Sequence, residues 1–499
     1  MFNVSRLALI SAMLALPAGA ETVKLTLLGV GDVYNFEEED GRGGFARLNA
    51  VAKAERAANP NTLYLFNGDM LSPSLASGFD KGQNTIDFTN LVPFDLAVPG
   101  NHEFDFGPEN FFEKMKASKY PWAAINITNG DGSPIEGLGG VMVKEVGGLK
   151  VALIPVAQDT SPEVSSTGSL KFGPTVEMGV EAAKKAREDG ADIVVGVVQT
   201  NMENDRALMK SGAFDVILSG DDHTYATAYD GRTAYVETSV DGQFLTPIDL
   251  TVEVKVAEDG KRSISWVPSF RFIDTATVTP DPESVAMADA LRATMDKTLA
   301  VEIGTLAAPL DSRRNVVRSE EATMGNLIAD AMRDATGADI AIMNGGGIRG
   351  DTTYDAGRKL TRRDILTELP FGNVTVVTEL PGSQVLLALE NGVSQVEKGA
   401  GRFPQVSGLT FVFDPSAEPG KRVSEVMVGG AALEPDKLYK VAVNDYILGG
   451  GDGYAALGGG RVLTDGPTGQ LVANDVMAYV EKLGTVNVGV EGRIRKLGQ

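Results

Sequence analysis

The sequence predicts an α/β protein of two or three domains. Continuous apolar runs of strand length recur along the chain, as in sheets buried between layers of helices. These runs end in polar residues, most of them beside a glycine, and ligands of layered sheets gather at such carboxyl ends. The 499 residues, 43% of them hydrophobic, suffice for separate cores.

In chain order, residues 1–20 read as a secretory signal: Arg6, an apolar stretch from Leu7 to Leu16, then Ala18-Gly-Ala20. That stretch is too short for a membrane span and no other is long enough, so the mature chain should start near Glu21. A periplasmic or secreted protein is expected, and the lack of any cysteine favours the bacterial periplasm and excludes thiolate metal ligands. The first domain is expected over 21–278, a connecting helix over 279–300 and a second α/β domain over 301–499. Thr279-Pro-Asp-Pro-Glu carries the turn signals, and Val285, Met287, Leu291, Met295 and Leu299 mark one apolar face of the helix.

In the first domain, runs from Val23 to Gly31-Asp32 and from Thr62 to Gly68-Asp69 read as buried strands. Runs ending at Gly100-Asn101, Asn201 and Gly220-Asp-Asp-His223 repeat the pattern. Singly, a Gly-Asp is a turn with an Asx side-chain bond. Five such ends in series point instead to one site formed by Asp32, Asp69, Asn101, Asn201, Asp221 and His223. The chain has two histidines, and His102 falls within Gly100-Asn-His-Glu-Phe-Asp-Phe-Gly107, which sets an Asn, a His and Asp105 within five residues. Histidine carries a proton near neutral pH, and an Asn carbonyl suits a hard cation.

In the second domain, an apolar run from Ala338 leads into Asn344-Gly-Gly-Gly-Ile-Arg349. The glycines let backbone and ligand approach closely, and an arginine fork suits a phosphate. Arg314 and Arg318 lie four apart and share a helix face. With Arg349 they would make a phosphate clamp. The net charge of −22 argues against a nucleic-acid polymer as partner but not against a small anion held by a local positive site.

These motifs resemble the secreted 5′-nucleotidase family of calcineurin-like metallophosphoesterases. The resemblance covers nearly the whole mature chain, with Gly325-Asn-Leu, Pro370-Phe-Gly-Asn373, Phe403-Pro-Gln-Val-Ser-Gly408 and Asn444-Asp-Tyr through Asp452-Gly-Tyr454 in family order. It implies a calcineurin-like β-sandwich flanked by helices, followed by a separate nucleotide-binding α/β domain that rotates to bring substrate to two divalent metals. It implies metal ligation by Asp32, Asp69 as the bridge, Asn101 and His223, with catalysis by His102 oriented by Asp105. It also implies a nucleobase stacked between Phe371 and Tyr446, contacted by Asn373, with the ribose on Asp452 and Gly408 in the same pocket. Three metal-side histidines of the family are replaced by Tyr34, Asn201 and Asp221. A set richer in oxygen favours Mn, Mg or Ca over Zn. The expected activity is metal-dependent hydrolysis of nucleotides, most simply of a nucleoside 5′-monophosphate to nucleoside and phosphate. A nucleotide-binding protein with a decayed metal site and a 2′,3′-cyclic nucleotide phosphodiesterase stay open as alternatives.

Overall fold

The computed structural model describes residues 20–257, 261–464 and 470–498. The expected signal segment, apart from Ala20, lies outside the described residues. Ala20–Val30 occupies the middle of a five-stranded sheet, antiparallel to Ile248–Val256 and parallel to Thr62–Phe66. Leu96–Ala97 and Arg262–Phe270 are its edges. A six-stranded sheet faces it, with Leu149–Val156, Ile193–Gln199, Val216–Gly220 and Ala234–Glu237 running parallel.

The period of two along a strand sorts the side chains into layers. Leu25, Leu27 and Leu65 meet Val151, Leu153, Val195 and Leu218 between the sheets. Leu28, Val30 and Phe66 point the other way, onto Phe45 and Leu48 of the helix Gly44–Ala58. On the outer face of the second sheet, Ile154, Val194 and Val198 pack on Ala183 and Leu208 of the helices Thr175–Glu188 and Met202–Ser211. The result is a β-sandwich between helical layers. Thr62–Phe66, Ile193–Gln199 and Val216–Gly220, each buried on both faces, lie in runs that the sequence shows as apolar. Each fully buried aliphatic side chain contributes on the order of 1.5–3 kcal/mol. The run from Leu91 yields only the short strand Leu96–Ala97, because Pro93 and Pro99 have no N–H to give a ladder.

The expected connecting helix forms as Pro282–Leu299. Asp281 caps it by accepting from the Ser284 backbone, and Pro282 stands in its first turn. Met295 and Leu299 are buried as the periodicity predicts, but Val285 is exposed and Ala288 takes the inner position. In the second half, Ile340–Asn344 lies between Pro404–Ser407 and Leu438–Asn444 in a mixed sheet. Ile340 and Ile342 face Val385 and Leu389 of the helix Gly382–Val393. Ala341 and Met343 face Leu327 and Ile328 of Thr323–Thr336. Among the described residues no helix is long and apolar enough to cross a membrane.

Candidate active site between the two halves

Parallel pairing sets the carboxyl ends of the first two strands side by side. Val30 stands opposite Phe66, and beyond them Asp32 N–H donates to Gly68 O at 2.9 Å and Val33 N–H to Asp69 O at 2.8 Å. Asp32, Asp69, Asp221 and His223 all have positive φ, at 55°, 66°, 105° and 55°. Side chains with a Cβ adopt this region at a cost, and such strain concentrates where a site must be held. Asp69 Oδ1 accepts from the His102 backbone at 2.8 Å. Gly100 makes that approach possible, since a Cβ there would lie 2.1 Å from Asp69 Oδ1. Beneath it the buried Glu103 carboxylate accepts from the backbone of Asp69, Met70 and Gly100 at 2.8, 2.8 and 2.6 Å. Glu103 thus ties the two strand-end turns together.

His102 Nδ1 lies 2.6 Å from Asp105 Oδ2. The other oxygen of Asp105 accepts from Ser165 Oγ at 2.8 Å. This relay leaves the opposite edge of the imidazole free and fixes its orientation. Ser165 has no motif around it, and the sequence offered no signal for it. The Tyr34 ring stands edge-on to His102 at 5.6 Å and 88°. The Phe371 ring, from the second half, lies nearly parallel to His102 at 6.3 Å and 8°.

A cavity of about 240 Å³ opens between the halves. Asn101, His102, Asp105 and Ser165 form one wall, and Arg318, Asn344, Arg349, Phe371, Asn373, Tyr446 and Asp452 form the other. Its second wall is well ordered by amide contacts. Asn444 Nδ2 donates to Asn344 Oδ1 at 2.8 Å, and Asn344 Nδ2 to Asp452 Oδ2 at 2.7 Å. Asn373 donates to Asp445 at 3.0 Å. Burial raises the Asp452 carboxyl above its usual range. One face of the Tyr446 ring rests on Gly451, where a Cβ would lie 2.3 Å from a ring carbon, and its hydroxyl donates to Glu163 O at 3.1 Å. The Arg349 guanidinium stands 5.2 Å over the Phe371 ring. Burial, then the charges of Arg314 and Arg349, push Arg318 down to about 10, and its buried Nε has no partner. Three mutually repelling cations with an orphaned donor make a site that an anion relieves.

Not every expected residue belongs here. Arg314 is exposed and outside the cavity wall, though its charge reaches Arg318 and Arg349. Gly408 is a correction. Antiparallel pairing places Pro404 beside Asn344 and Ser407 beside Ala341, so Gly408 falls at the far end of the strand from the cavity. It makes a turn at φ 75°, packed on the Asp339 carbonyl. Gly401 lines the cavity instead, close enough that a Cβ would lie 3.4 Å from Asp452 Oδ2. Asn201 is the second correction. Its side-chain oxygen accepts from Glu203 and Asn204 N–H at 3.1 Å each, capping the helix Met202–Ser211. The oxygen expected to meet a metal closes its own helix.

The remaining metal-side residues cluster beside the cavity. Burial raises Asp32 and Asp69 well above the usual carboxylate range, and each feels the charge of neighbouring acids. Burial and then Asp222 raise Asp221 to about 6. Burial and the positive charge around it lower His223, whose Nε2 lies 2.9 Å from the Tyr34 hydroxyl. Gln199, unnoticed at the end of its apolar run, donates from Nε2 to Asp69 Oδ2 at 2.7 Å and lies 3.4 Å from Asp32 Oδ1. The surroundings of the Gln158 amide orient its nitrogen toward Asp221, at 3.0 and 3.2 Å from the two carboxylate oxygens. Among the described residues no group of three His, Cys, Asp or Glu side chains is placed to hold a metal ion. Calcineurin-like phosphoesterases use two divalent metals, and the donor set here, as arranged, does not fit two.

Sheet order, strand-end acids and a cavity shared with a second α/β half define a two-domain phosphoesterase. Residues 25–225 match the calcineurin-like phosphoesterase family and residues 302–459 the 5′-nucleotidase C-terminal domain. The chain belongs to the 5′-nucleotidase family that joins these two domains, a family of phosphoric monoester hydrolases. It is 28% identical to the trifunctional nucleotide phosphoesterase protein YfkN of Bacillus subtilis over 95% of its own length, but spans 35% of that longer protein. It is 26% identical to the 5′-nucleotidase of Homo sapiens, covering 95% of this chain and 91% of that one. The crystal structure of a 5′-nucleotidase precursor from Thermus thermophilus superposes with a TM-score of 0.73 at 28% identity, over 96% of this chain and all of that one.

Proposed function

We propose that this protein is a phosphohydrolase of nucleotides, acting most simply on a nucleoside 5′-monophosphate, in the periplasm or outside the cell. The single observation that carries the reading is the shared cavity, with the His102–Asp105 pair on one wall and Phe371, Tyr446 and Asp452 on the other. The base lies against the Phe371 and Tyr446 rings, each stack contributing roughly 1–3 kcal/mol. Asp452 accepts the ribose hydroxyls, which the relay from Asn344 holds it ready to do. The phosphate meets Arg318 and Arg349, both of which burial in the cavity wall and the charge of Arg314 hold below their usual range. Hydrolysis replaces the bond from phosphorus to the nucleoside oxygen by one to a water oxygen. The leaving oxygen takes a proton from His102, which Asp105 and Ser165 hold in place, and the proton shed by the attacking water passes through solvent to restore the imidazole. Any cation admitted at the strand ends meets carboxylate and amide oxygens and the single imidazole of His223, a set suited to Mn, Mg or Ca over Zn.

The test is phosphate release from AMP by chelator-treated protein re-fed separately with Mg, Mn, Ca, Co and Zn. Release with at least one of them, with Mn, Mg or Ca ahead of Zn, supports the reading. Binding of AMP without release under any metal supports the alternative of a nucleotide-binding protein. The Gln199 amide on Asp69 favours that alternative. A preference for a 2′,3′-cyclic nucleotide over AMP would move the reaction to a phosphodiesterase.

A further inference from the structure

We propose that the Gln199 side chain takes the place of one of the two divalent cations, so that the centre admits at most one. Gln199 ends the strand Ile193–Gln199 opposite Gly220, and its side chain runs between the two first carboxylates. Its Nε2 is 2.7 Å from Asp69 Oδ2 and 3.4 Å from Asp32 Oδ1. A bridging cation would sit between the same oxygens, at roughly 2.0–2.6 Å from each. The amide N–H groups direct partial positive charge there without a formal charge. The slot is built for this side chain. A Cβ on Gly68 would lie 2.8 Å from Gln199 Cδ, one on Gly220 2.6 Å from its Oε1, and one on Gly100 2.9 Å from its Cγ.

A second, independent observation is the orphaned end of the same amide. Gln199 Oε1 is buried and has no hydrogen-bond partner. Leaving that oxygen unpaired is a cost that packing alone does not require, and the gain that offsets it is the hydrogen bond to Asp69. The other donors are engaged in a compatible way. Asn201 caps its helix, Gln158 covers Asp221, and Tyr34 stands on His223. Amide N–H groups thus donate to acids that a dinuclear centre would hold with metal, and the Tyr34 hydroxyl lies 3.4 Å from Asp32 Oδ1. The inference concerns this cluster alone and holds whichever nucleotide the cavity takes.

The experiment is Mn²⁺ binding to the chelator-treated full chain, read by calorimetry and metal content, together with thermal melting with and without Mn²⁺. The wild type should bind no more than one Mn²⁺ per chain. Gln199→Ala, metal-free, leaves the Asp32 and Asp69 carboxylates facing each other and should melt several degrees lower. Mn²⁺ should restore its melting temperature, and the variant should hold one ion more than the wild type. Two Mn²⁺ per wild-type chain overturn the proposal. So does a Gln199→Ala protein that gains no ion and is not rescued by Mn²⁺, because its amide then serves packing only. Should Gln199→Ala fail to fold, the shorter Gln199→Asn takes its place with the same outcomes. None of these readings uses AMP, so absent hydrolysis leaves the result standing.

Discussion

His102 is where the two halves meet at atomic scale, with Asp105 on one side of its ring and Phe371 across its face. Replacing it by alanine should lower AMP turnover at least ~100-fold while AMP binding stays near normal, as measured by phosphate release and calorimetry. Ser165→Ala removes one bond to Asp105, the partner of His102. It should lower kcat by roughly 3- to 10-fold with KM unchanged, the mark of a residue acting through another. Much of this was legible, because a histidine between an Asn and an Asp, bracketed by glycines, has few structural uses. What was hidden has physical reasons. Gln199 is the last residue of an apolar run, so its inward direction follows only from strand pairing. Asn201 sits before Met-Glu-Asn-Asp, and an Asn followed by acids in a first turn is a preferred helix cap. That local role won over the ligand role suggested by position. Gly408 and Gly401 differ only in which end of a strand they reach, which register decides and composition does not.

Among the elements, Met202–Ser211 and two parallel strands enclose an acidic cluster that plays no part in the cavity. The Tyr235 hydroxyl lies 2.9 Å from a carboxyl oxygen of Asp205 and 2.9 Å from one of Glu237, and Ser219 donates to Asp205 at 2.8 Å. Burial raises both carboxyls above their unfolded range near pH 4. Between the unfolded and the folded values the native state holds more protons than the unfolded one, so stability falls as pH rises. The melting temperature should therefore decline from pH 5 toward pH 9. Glu237→Gln should flatten that slope and melt higher than the wild type at pH 8, and an unchanged slope would refute the assignment. Strands such as Ile193–Gln199 and Val216–Gly220 were readable because burial on both faces leaves an apolar run, whereas Ala234–Glu237 and Pro404–Ser407, equally buried, carry polar residues that hide them. The edge strand Met142–Val146 alternates half-buried with exposed residues, and Ala226–Tyr229 is exposed beyond Ala226, so neither gave such a signal.

Over the whole molecule, a formal charge of −22 surrounds a cavity whose second wall carries Arg318 and Arg349. AMP at about 100 times its Kd should stabilise the protein by about 2.7 kcal/mol, visible as a rise in melting temperature. Phe371→Ala should weaken AMP binding by roughly 5- to 150-fold, the equivalent of one lost stack, and should reduce that rise at a fixed AMP concentration. The segment around Ser161–Val164 links both walls, since Glu163 accepts from Tyr446 while Ser165 holds Asp105. The two walls come from separate stretches of chain, so under the proposed function the first would carry the chemistry and the second the recognition, coupled through the Glu163–Ser165 segment. On that reading, substitutions confined to 302–459 would change which base or sugar is accepted while the His102–Asp105 pair stays as it is. A lineage built on this plan can broaden its diet of nucleotides without having to reinvent its chemistry.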